Sequence, residues 1–369
     1  MEAASGSRPR LSFLTSAYRT EAYLRGTITS VLRQTDPHWE LVVVDNGMSD
    51  AIAAIVREFA DDPRVHLLRQ ENRGYAGGVM AAAAVARGDY YSVLDSDDEV
   101  VPEFVATVLE FLDGHPSVDG VGCDAHMVLD GDDRPSLRSY LQSIGSRPPP
   151  SGTPLTVEEA LGGRVPYYTG AVRAESWRAV GGYQPGVESD VLMWLRLADR
   201  FSVWLLPDKL GRYRVRGESE SRHPDRVEDF ERSFIHTLES YAAESGLPGH
   251  RAIVQSPVRR LRYHQALRRA RWAFVDGDVA AARRHARDAR EQRATLRSAG
   301  IVLLLHLWPR LLIRMHPLKQ RLASGVHRAR QRILGWGAPP WPPVRARSGS
   351  DGAGSRGVPR AGGRRGVRP

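Results

Sequence analysis

The sequence predicts an α/β protein built on a doubly wound, mostly parallel sheet. Short apolar segments alternate with stretches of helical spacing through residues 10–98, the β-α-β-α order of a parallel sheet. Glu40-Leu41-Val42-Val43-Val44-Asp45 contains three consecutive valines without alternation, the pattern of a strand buried on both faces. Three of the segments end in polar turns, Ser16-Ala17-Tyr18-Arg19, Asp45-Asn46-Gly47 and Asp95-Ser96-Asp97-Asp98. In an open α/β sheet those strand ends line the ligand crevice.

Taken in order, residues 10–17 read as a first strand. Helical spacing follows through Ala22, Leu24, Ile28, Val31 and Leu32, and Pro37 stops it. After the valine strand, Ser49 or Asp50 caps a helix through Ile52, Ile55, Val56 and Phe59. Residues 64–68 form a third strand, and the turn from Asn72 to Gly78 feeds an alanine-rich helix over 79–87. Tyr90-Tyr91-Ser92-Val93-Leu94 is the fourth strand. Beyond it the spacing predicts a helix over 101–112 and a strand over 118–123. Residues 130–154, rich in Pro, Gly, Ser and Arg, read as a mobile loop. An apolar block resumes at 165–172, a helix ends at Gly181-Gly182, a second helix runs from Glu188 to Leu197, and 201–206 is a strand.

From residue 226 the pattern is helical, over 226–245, 257–275 and 278–297. Asp276-Gly277-Asp278 turns the last two into a hairpin similar to one tetratricopeptide-like unit. The apolar run at 301–313 is interrupted by His306, Pro309 and Arg310 and is too short to span a bilayer. Residues 337–369 are Pro, Gly, Arg and Ser with little apolar content, the composition of a disordered tail. The expected division is a flexible segment 1–9, an α/β domain 10–225, a helical basic region 226–336 and the tail 337–369.

Charge divides along the same line. Residues 251–369 hold 27 Lys and Arg against 5 Asp and Glu, whereas residues 1–250 hold 25 against 38. A basic rear calls for an anionic partner, and a lipid surface contacted through 251–336 is the expectation. Nucleic acid is ranked below it, because no nucleic-acid-binding module accompanies the charge. The single cysteine, Cys123, excludes an intramolecular disulfide framework and fits a reducing compartment. Residues 1–10 lack an apolar signal core, so a cytoplasmic protein, peripheral to the inner membrane face, is expected.

The strongest chemical signal is the strand ending in Asp95, Asp97 and Asp98. Three carboxylates at one strand end repel one another, and Mg²⁺ or Mn²⁺ shared with phosphate oxygens relieves that repulsion. A solvated acidic turn capping the next helix would use the same residues. Asp45 can accept from a base N–H or a ribose hydroxyl, or serve as a turn and cap residue. Gly74-x-x-Gly77-Gly78 can bring backbone N–H groups to a phosphate. There is no Gly-Lys-Ser/Thr phosphate loop, which argues against a P-loop NTPase.

In combination these motifs resemble those of family 2 glycosyltransferases, inverting enzymes of the GT-A fold that use nucleotide sugars. Val43-Val44-Asp45-Asn46-Gly47-Met48-Ser49-Asp50, Asn72-Arg73-Gly74 with Ala76-Gly77-Gly78, and Leu94-Asp95-Ser96-Asp97-Asp98 follow the family's motifs in its order. The resemblance makes 10–98 the nucleotide-sugar half and 99–225 the acceptor half. It implies a donor site of Ser16, Ala17, Tyr18, Arg19, Asp45, Asn46, Arg73, Gly74, Asp95 and Ser96. It makes Asp97 the main ligand of Mn²⁺ or Mg²⁺, with Asp95 beside it toward metal or ribose, and Asp98 a helix cap.

The resemblance extends to about residue 219. Tyr168-Thr169-Gly170-Ala171 and Ala179-Val180-Gly181-Gly182-Tyr183 resemble the acceptor-side segment, and Gly170 and Glu188 join the site on that basis. Ser189-Asp190-Val191-Leu192-Met193-Trp194-Leu195-Arg196 resembles the catalytic helix, with Asp190 as the general base. Ser189 and Leu192 depart from the family's acidic residues. Arg216 replaces a common His and is suited to neutralising a diphosphate. The Gln-x-x-Arg-Trp motif of processive synthases is absent, which implies transfer of a single sugar. The implied partners are a nucleoside-diphosphate sugar and a glycan or lipid-linked acceptor. A non-catalytic sugar-nucleotide- or glycan-binding protein, and a membrane or nucleic-acid tether, are the alternatives.

Overall fold

The structure, a computed structural model, describes residues 8–143, 146, 148–161, 166–216 and 227–307. The expected tail at 337–369, the last part of the helical region, the N-terminal residues 1–7 and the Gly217-Glu218-Ser219 stretch lie outside them. The first half runs β1 (Leu11–Ala17), α1 (Glu21–Leu32), β2 (Trp39–Asn46), α2 (Asp50–Arg57), β3 (Val65–Gln70), α3 (Gly74–Val85), β4 (Tyr90–Val93) and β5 (Glu99–Val100). It continues through α4 (Phe104–Gly114), β6 (Gly120–Leu129), β7 (Asp132–Ser139), α5 (Tyr140–Ser143), β8 (Thr153–Pro154) and α6 (Val157–Leu161). The remainder is β9 (Tyr167–Arg173), α7 (Ala174–Ala179), α8 (Ser189–Arg200), β10 (Val203–Val215), α9 (Val227–Glu244), α10 (Pro248–Val275), α11 (Val279–Gln292) and α12 (Leu296–Leu307).

The strands form one sheet in the order β3-β2-β1-β4-β9-β6-β10-β5, with β7 on β6 and β8 on β10. β3, β2, β1 and β4 are parallel. β9 is antiparallel to both β4 and β6, and β10 runs parallel to β6. β4, β6 and β10 therefore share a direction, and their C-terminal ends reach the same sheet edge. The chain reverses its order between β1 and β4, so the crevice of a doubly wound sheet opens there. The sheet is mixed: β9 is inserted antiparallel, and β5, β7 and β8 pair antiparallel with β10, β6 and β10.

The valine run behaves as its sequence dictates, since Val42, Val43 and Val44 are all buried. One apolar cluster lies under α1, α2 and α4, and a second under α3, α7 and α8. The second cluster also takes in Ile235, Leu238, Tyr241 and Ala242 of α9 and Val254 and Val258 of α10. Buried core therefore continues across the expected boundary near residue 226. Ser49 caps α2 by accepting from the Ile52 N–H. Asp276-Gly277-Asp278 makes the hairpin of α10 and α11, with Gly277 at φ 85° and Asp278 accepting from Ala281 N.

Four expectations need correction. Residues 130–154 carry β7, α5 and β8 rather than one mobile loop; neighbouring strands β6 and β10 supply hydrogen-bonding edges that local composition does not show. The strand expected over 118–123 continues to Leu129, and that over 201–206 continues to Val215, because the two pair along their length. α10 starts at Pro248 and passes through Pro257. Asp98 caps no helix, because the chain goes on into β5; its Oδ1 accepts from Arg214 N at 2.7 Å.

Candidate active site

The C-terminal ends of β1, β2 and β4 place Ser16 to Arg19, Asp45-Asn46 and Asp95 to Asp98 along one edge. Gly78 lets α3 sit directly on this edge. A Cβ there would lie 2.0 Å from Ser16 Oγ and 3.1 Å from Asn46 Nδ2. Asn46 holds the glycine turn in place. Its Nδ2 donates to Gly74 O at 2.9 Å, and its Oδ1 accepts from Arg73 N at 3.1 Å and Gln70 Nε2 at 2.8 Å. Gly74 has φ 72°, a left-handed conformation that favours glycine. Arg19 is left-handed too, at φ 57°, with its guanidinium 5.0 Å from the Tyr18 ring centroid. Asp45 is fully buried; it accepts from Ser49 N and Arg69 Nε, each at 2.9 Å. Ser96 is buried and accepts from Thr20 Oγ1.

The far end of β10 brings two arginines to the acidic turn. Arg216 pairs with Asp97 at 2.6 Å, and Arg214 donates to Asp97 O and pairs with Glu99 at 2.9 Å. Both guanidinium groups lie over Tyr23, whose hydroxyl donates to Asp130 at 2.8 Å. Burial raises the Asp97 carboxyl above the usual aspartate range, although Arg216 and Arg214 pull it down.

A second corner is aromatic. The Tyr75 hydroxyl, from the glycine turn, donates to Asp95 Oδ1 at 2.5 Å. Tyr75 as a residue is 44% exposed, but its hydroxyl end is packed into the site. Burial first, and then the charge of Asp95, holds that phenol protonated. Its ring is tilted against Tyr183, 5.8 Å between centroids, and Tyr183 stacks on Trp177 at 5.2 Å. Tyr140, from α5, is edge-on to Tyr213, 5.5 Å between centroids.

Asp190 lies in the first turn of α8, where the helix dipole favours an anion. Burial pushes its carboxyl up, with the Val191 and Asp190 N–H groups pulling the other way. Both Asp190 and Asp95 act electrostatically on Tyr75, Tyr140 and Tyr183. The start of α8 and the end of β4 thus lie near the same three phenols.

Two other residues named from the sequence have different surroundings. Gly170 lies within β9, where a Cβ would meet Val121 O at 2.4 Å and the Trp194 ring at 3.0 Å; it permits strand and helix packing. Glu188 occupies the N-cap position of α8 without a side-chain cap, and its N–H donates to Thr237 Oγ1. The departures at 189 and 192 are absorbed by packing: Ser189 Oγ donates to Gln184 O, and Leu192 is buried in the core. Sequence reading missed Tyr23, Tyr75, Tyr140, Tyr183 and Arg214 as site residues. Tyr75 and Tyr183 had a local signal, lying inside the glycine turn and the acceptor-side motif.

Among the described residues there is no cluster of three or more His, Cys, Asp or Glu that could enclose a metal ion. Asp95 and Asp97 nevertheless fit a hard divalent cation. They offer carboxylate oxygens at one strand end, and Mg²⁺-type ions take one or two carboxylates and complete their shell with substrate phosphates and water.

Comparison with known proteins agrees with this geometry. Residues 12–172 match the model of Glycosyl transferase family 2. The succinoglycan biosynthesis protein ExoO of Rhizobium meliloti is 34% identical over 151 residues, covering 41% of this chain and 42% of its own. TuaG, a glycosyltransferase assigned to teichuronic acid biosynthesis in Bacillus subtilis, is 35% identical over 107 residues, 28% of this chain and 42% of its own. The chain thus spans less than half the length of these relatives. Among solved structures, S. aureus TarS 1–349 in complex with UDP-GlcNAc aligns over 82% of this chain and 88% of its own, with TM-score 0.54 and 20% identity. The mannosyltransferase PcManGT of Pyrobaculum calidifontis, in complex with GDP-Man and Mn²⁺, covers 84% of each chain with TM-score 0.52 and 18% identity. These two share the fold. The matched segment runs from β1 into β9 and holds the whole acidic edge, and over that segment the chain is similar to glycosyl transferase family 2.

Proposed function

We propose that the protein transfers a single sugar from a nucleoside-diphosphate sugar to a glycan or lipid-linked acceptor, with inversion at the anomeric carbon. The observation that carries this is that Asp95, at the end of β4, and Asp190, at the start of α8, both lie close enough to Tyr75, Tyr140 and Tyr183 to act on them electrostatically. The nucleotide lies along Ser16 to Arg19, Asp45, Asn46, Arg73 and Gly74. Arg216 stands at the diphosphate, where a guanidinium offers a planar, always-charged donor set. A divalent ion held by Asp97 and Asp95 would supply further positive charge to the departing diphosphate. The relatives and structural neighbours named above, which include a UDP-GlcNAc complex and a GDP-Man–Mn²⁺ complex, support a nucleotide-sugar donor.

Asp190 takes the proton from the acceptor hydroxyl as the new bond forms. An alcohol is a poor nucleophile, so the base must be within hydrogen-bond reach and have a matched proton affinity. The raised carboxyl of Asp190 is suited to that task. A panel of UDP-, GDP- and dTDP-sugars with Mn²⁺ tests the reading: release of nucleoside diphosphate from one donor class is expected. Donor binding without turnover for any acceptor would favour a non-catalytic binding protein.

The acceptor side of the proposal extends to a membrane surface. α12 packs Ser298, Ile301 and Leu305 inward, while Leu296, Leu303, Leu304 and Leu307 form an exposed stripe at helical spacing. The stripe adjoins arginine-rich α10 and α11. Among the described residues no helix is long and apolar enough to cross a membrane. An apolar stripe beside positive charge is the signature of a helix lying in an anionic interface. The full chain is expected to sediment with phosphatidylglycerol vesicles and to remain in solution with phosphatidylcholine; equal behaviour with both would remove the lipid reading.

A further inference from the structure

We infer that Thr237, in α9, is a positioning residue for the proposed base Asp190: its hydroxyl fixes the start of α8 from the C-terminal helical region. The inference rests on the reading of Asp190 given above and adds a residue to it. Both α8 and α9 lie beyond residues 12–172, the segment that matches the family model.

A helix leaves the N–H groups of its first turn without partners inside the helix. In α8 the N-cap residue is Glu188, whose side chain makes no capping hydrogen bond. Its N–H donates to Thr237 Oγ1 at 2.8 Å, across 49 residues of chain. Thr237 in turn donates to Ser233 O, one turn back in α9, at 2.9 Å. With its proton committed there, the hydroxyl oxygen serves Glu188 as an acceptor. Thr237 is fully buried, so water does not take its place.

Asp190 follows in the same first turn. There Ser189 Oγ donates to Gln184 O at 2.6 Å, and Glu188 O accepts from Leu192 N at 3.0 Å. The Thr237 bond thus ties the helix at the point where the chain enters it. α9 is itself fixed, because Ile235, Leu238, Tyr241 and Ala242 share a buried cluster with Val191, Leu192 and Leu195 of α8. On that apolar face valine would pack as well as threonine, so the hydroxyl marks what the position is for. Arg196 and Glu244, 2.8 Å apart, tie the same two helices near the other end of α8. The Thr237 bond acts on the end that carries Asp190. A base works within hydrogen-bond reach of its proton, and misplacement by about 1 Å costs on the order of 10²-fold in rate.

The test compares Thr237→Val and Thr237→Ala, which lack the hydroxyl, with Thr237→Ser, which keeps it, in the full chain. Release of nucleoside diphosphate from the panel of UDP-, GDP- and dTDP-sugars with Mn²⁺ is followed below the thermal midpoint of every variant. Valine and alanine are expected to lower kcat by about tenfold to a hundredfold with donor KM unchanged, and serine to restore the wild-type kcat. In the Asp190→Asn background, Thr237→Val should cost no further rate, because it acts through that carboxylate. Glu244→Gln, which weakens the far tie, should keep the wild-type kcat. The inference is overturned by wild-type kcat without the hydroxyl, by a KM rise that matches the kcat fall, or by no restoration with serine. Equal losses with and without Asp190, or in Glu244→Gln and Thr237→Val, would show general loosening of α8 and overturn it too. Asp190→Asn at the wild-type rate, or a wild type that turns over no donor, would instead defeat the proposed function, and this inference with it.

Discussion

Asp190→Asn is expected to lower glycosyl transfer by about 10²–10⁴-fold, the range over which a positioned general base acts, while leaving donor binding intact. The asparagine keeps the shape of the side chain and its place at the start of α8 but accepts no proton. The same burial that would suit Asp190 to the proposed role makes its ionised form costly. Its folded-state pKa is raised above the unfolded value, so the cost is absent below the unfolded pKa and complete above the folded one. Asp190→Asn should therefore have a higher thermal midpoint than wild type at neutral pH, and the gap should close in acid. Activity should show an acidic limb above the ordinary aspartate range, because the base must be deprotonated. A variant that is less stable at neutral pH and still active would show Asp190 to be a structural helix-start residue.

Asp97→Asn is expected to lower turnover by about 10²–10³-fold, the cost of removing one group that stabilises developing charge. The variant should also need more Mn²⁺ for its half-maximal rate, and a chelator should abolish wild-type turnover reversibly. Arg216 complicates this corner, because it pairs with Asp97 at 2.6 Å. Loss of the carboxylate frees the guanidinium, so bare nucleoside diphosphate should bind Asp97→Asn at least as well as wild type. Rate and Mn²⁺ dependence equal to wild type would remove Asp97 from the metal role.

Much of this was legible in the sequence, for reasons that can be located. The parallel half announced itself because Val42, Val43 and Val44 leave no alternation and Ser49 caps the next helix. Turn residues at the strand ends then marked one edge of the sheet. The second half was harder. β7 and β8 are strands because β6 and β10 offer them edges, which composition over 130–154 does not report. Asp98 looked like a cap because its partner, Arg214 N, is 116 residues away. Tyr75 and Tyr183 lay inside recognised motifs, but that they and Tyr140, from three separate segments, lie near both Asp95 and Asp190 shows only in the packing.

The central claim is inverting transfer with Asp190 as the base, and the anomeric proton of the transferred sugar tests it most directly. Followed by NMR from an α-linked donor selected from the panel, the first product should have the β configuration, and Asp190→Asn should give none above background. An α product, or equal product from wild type and variant, would contradict the account.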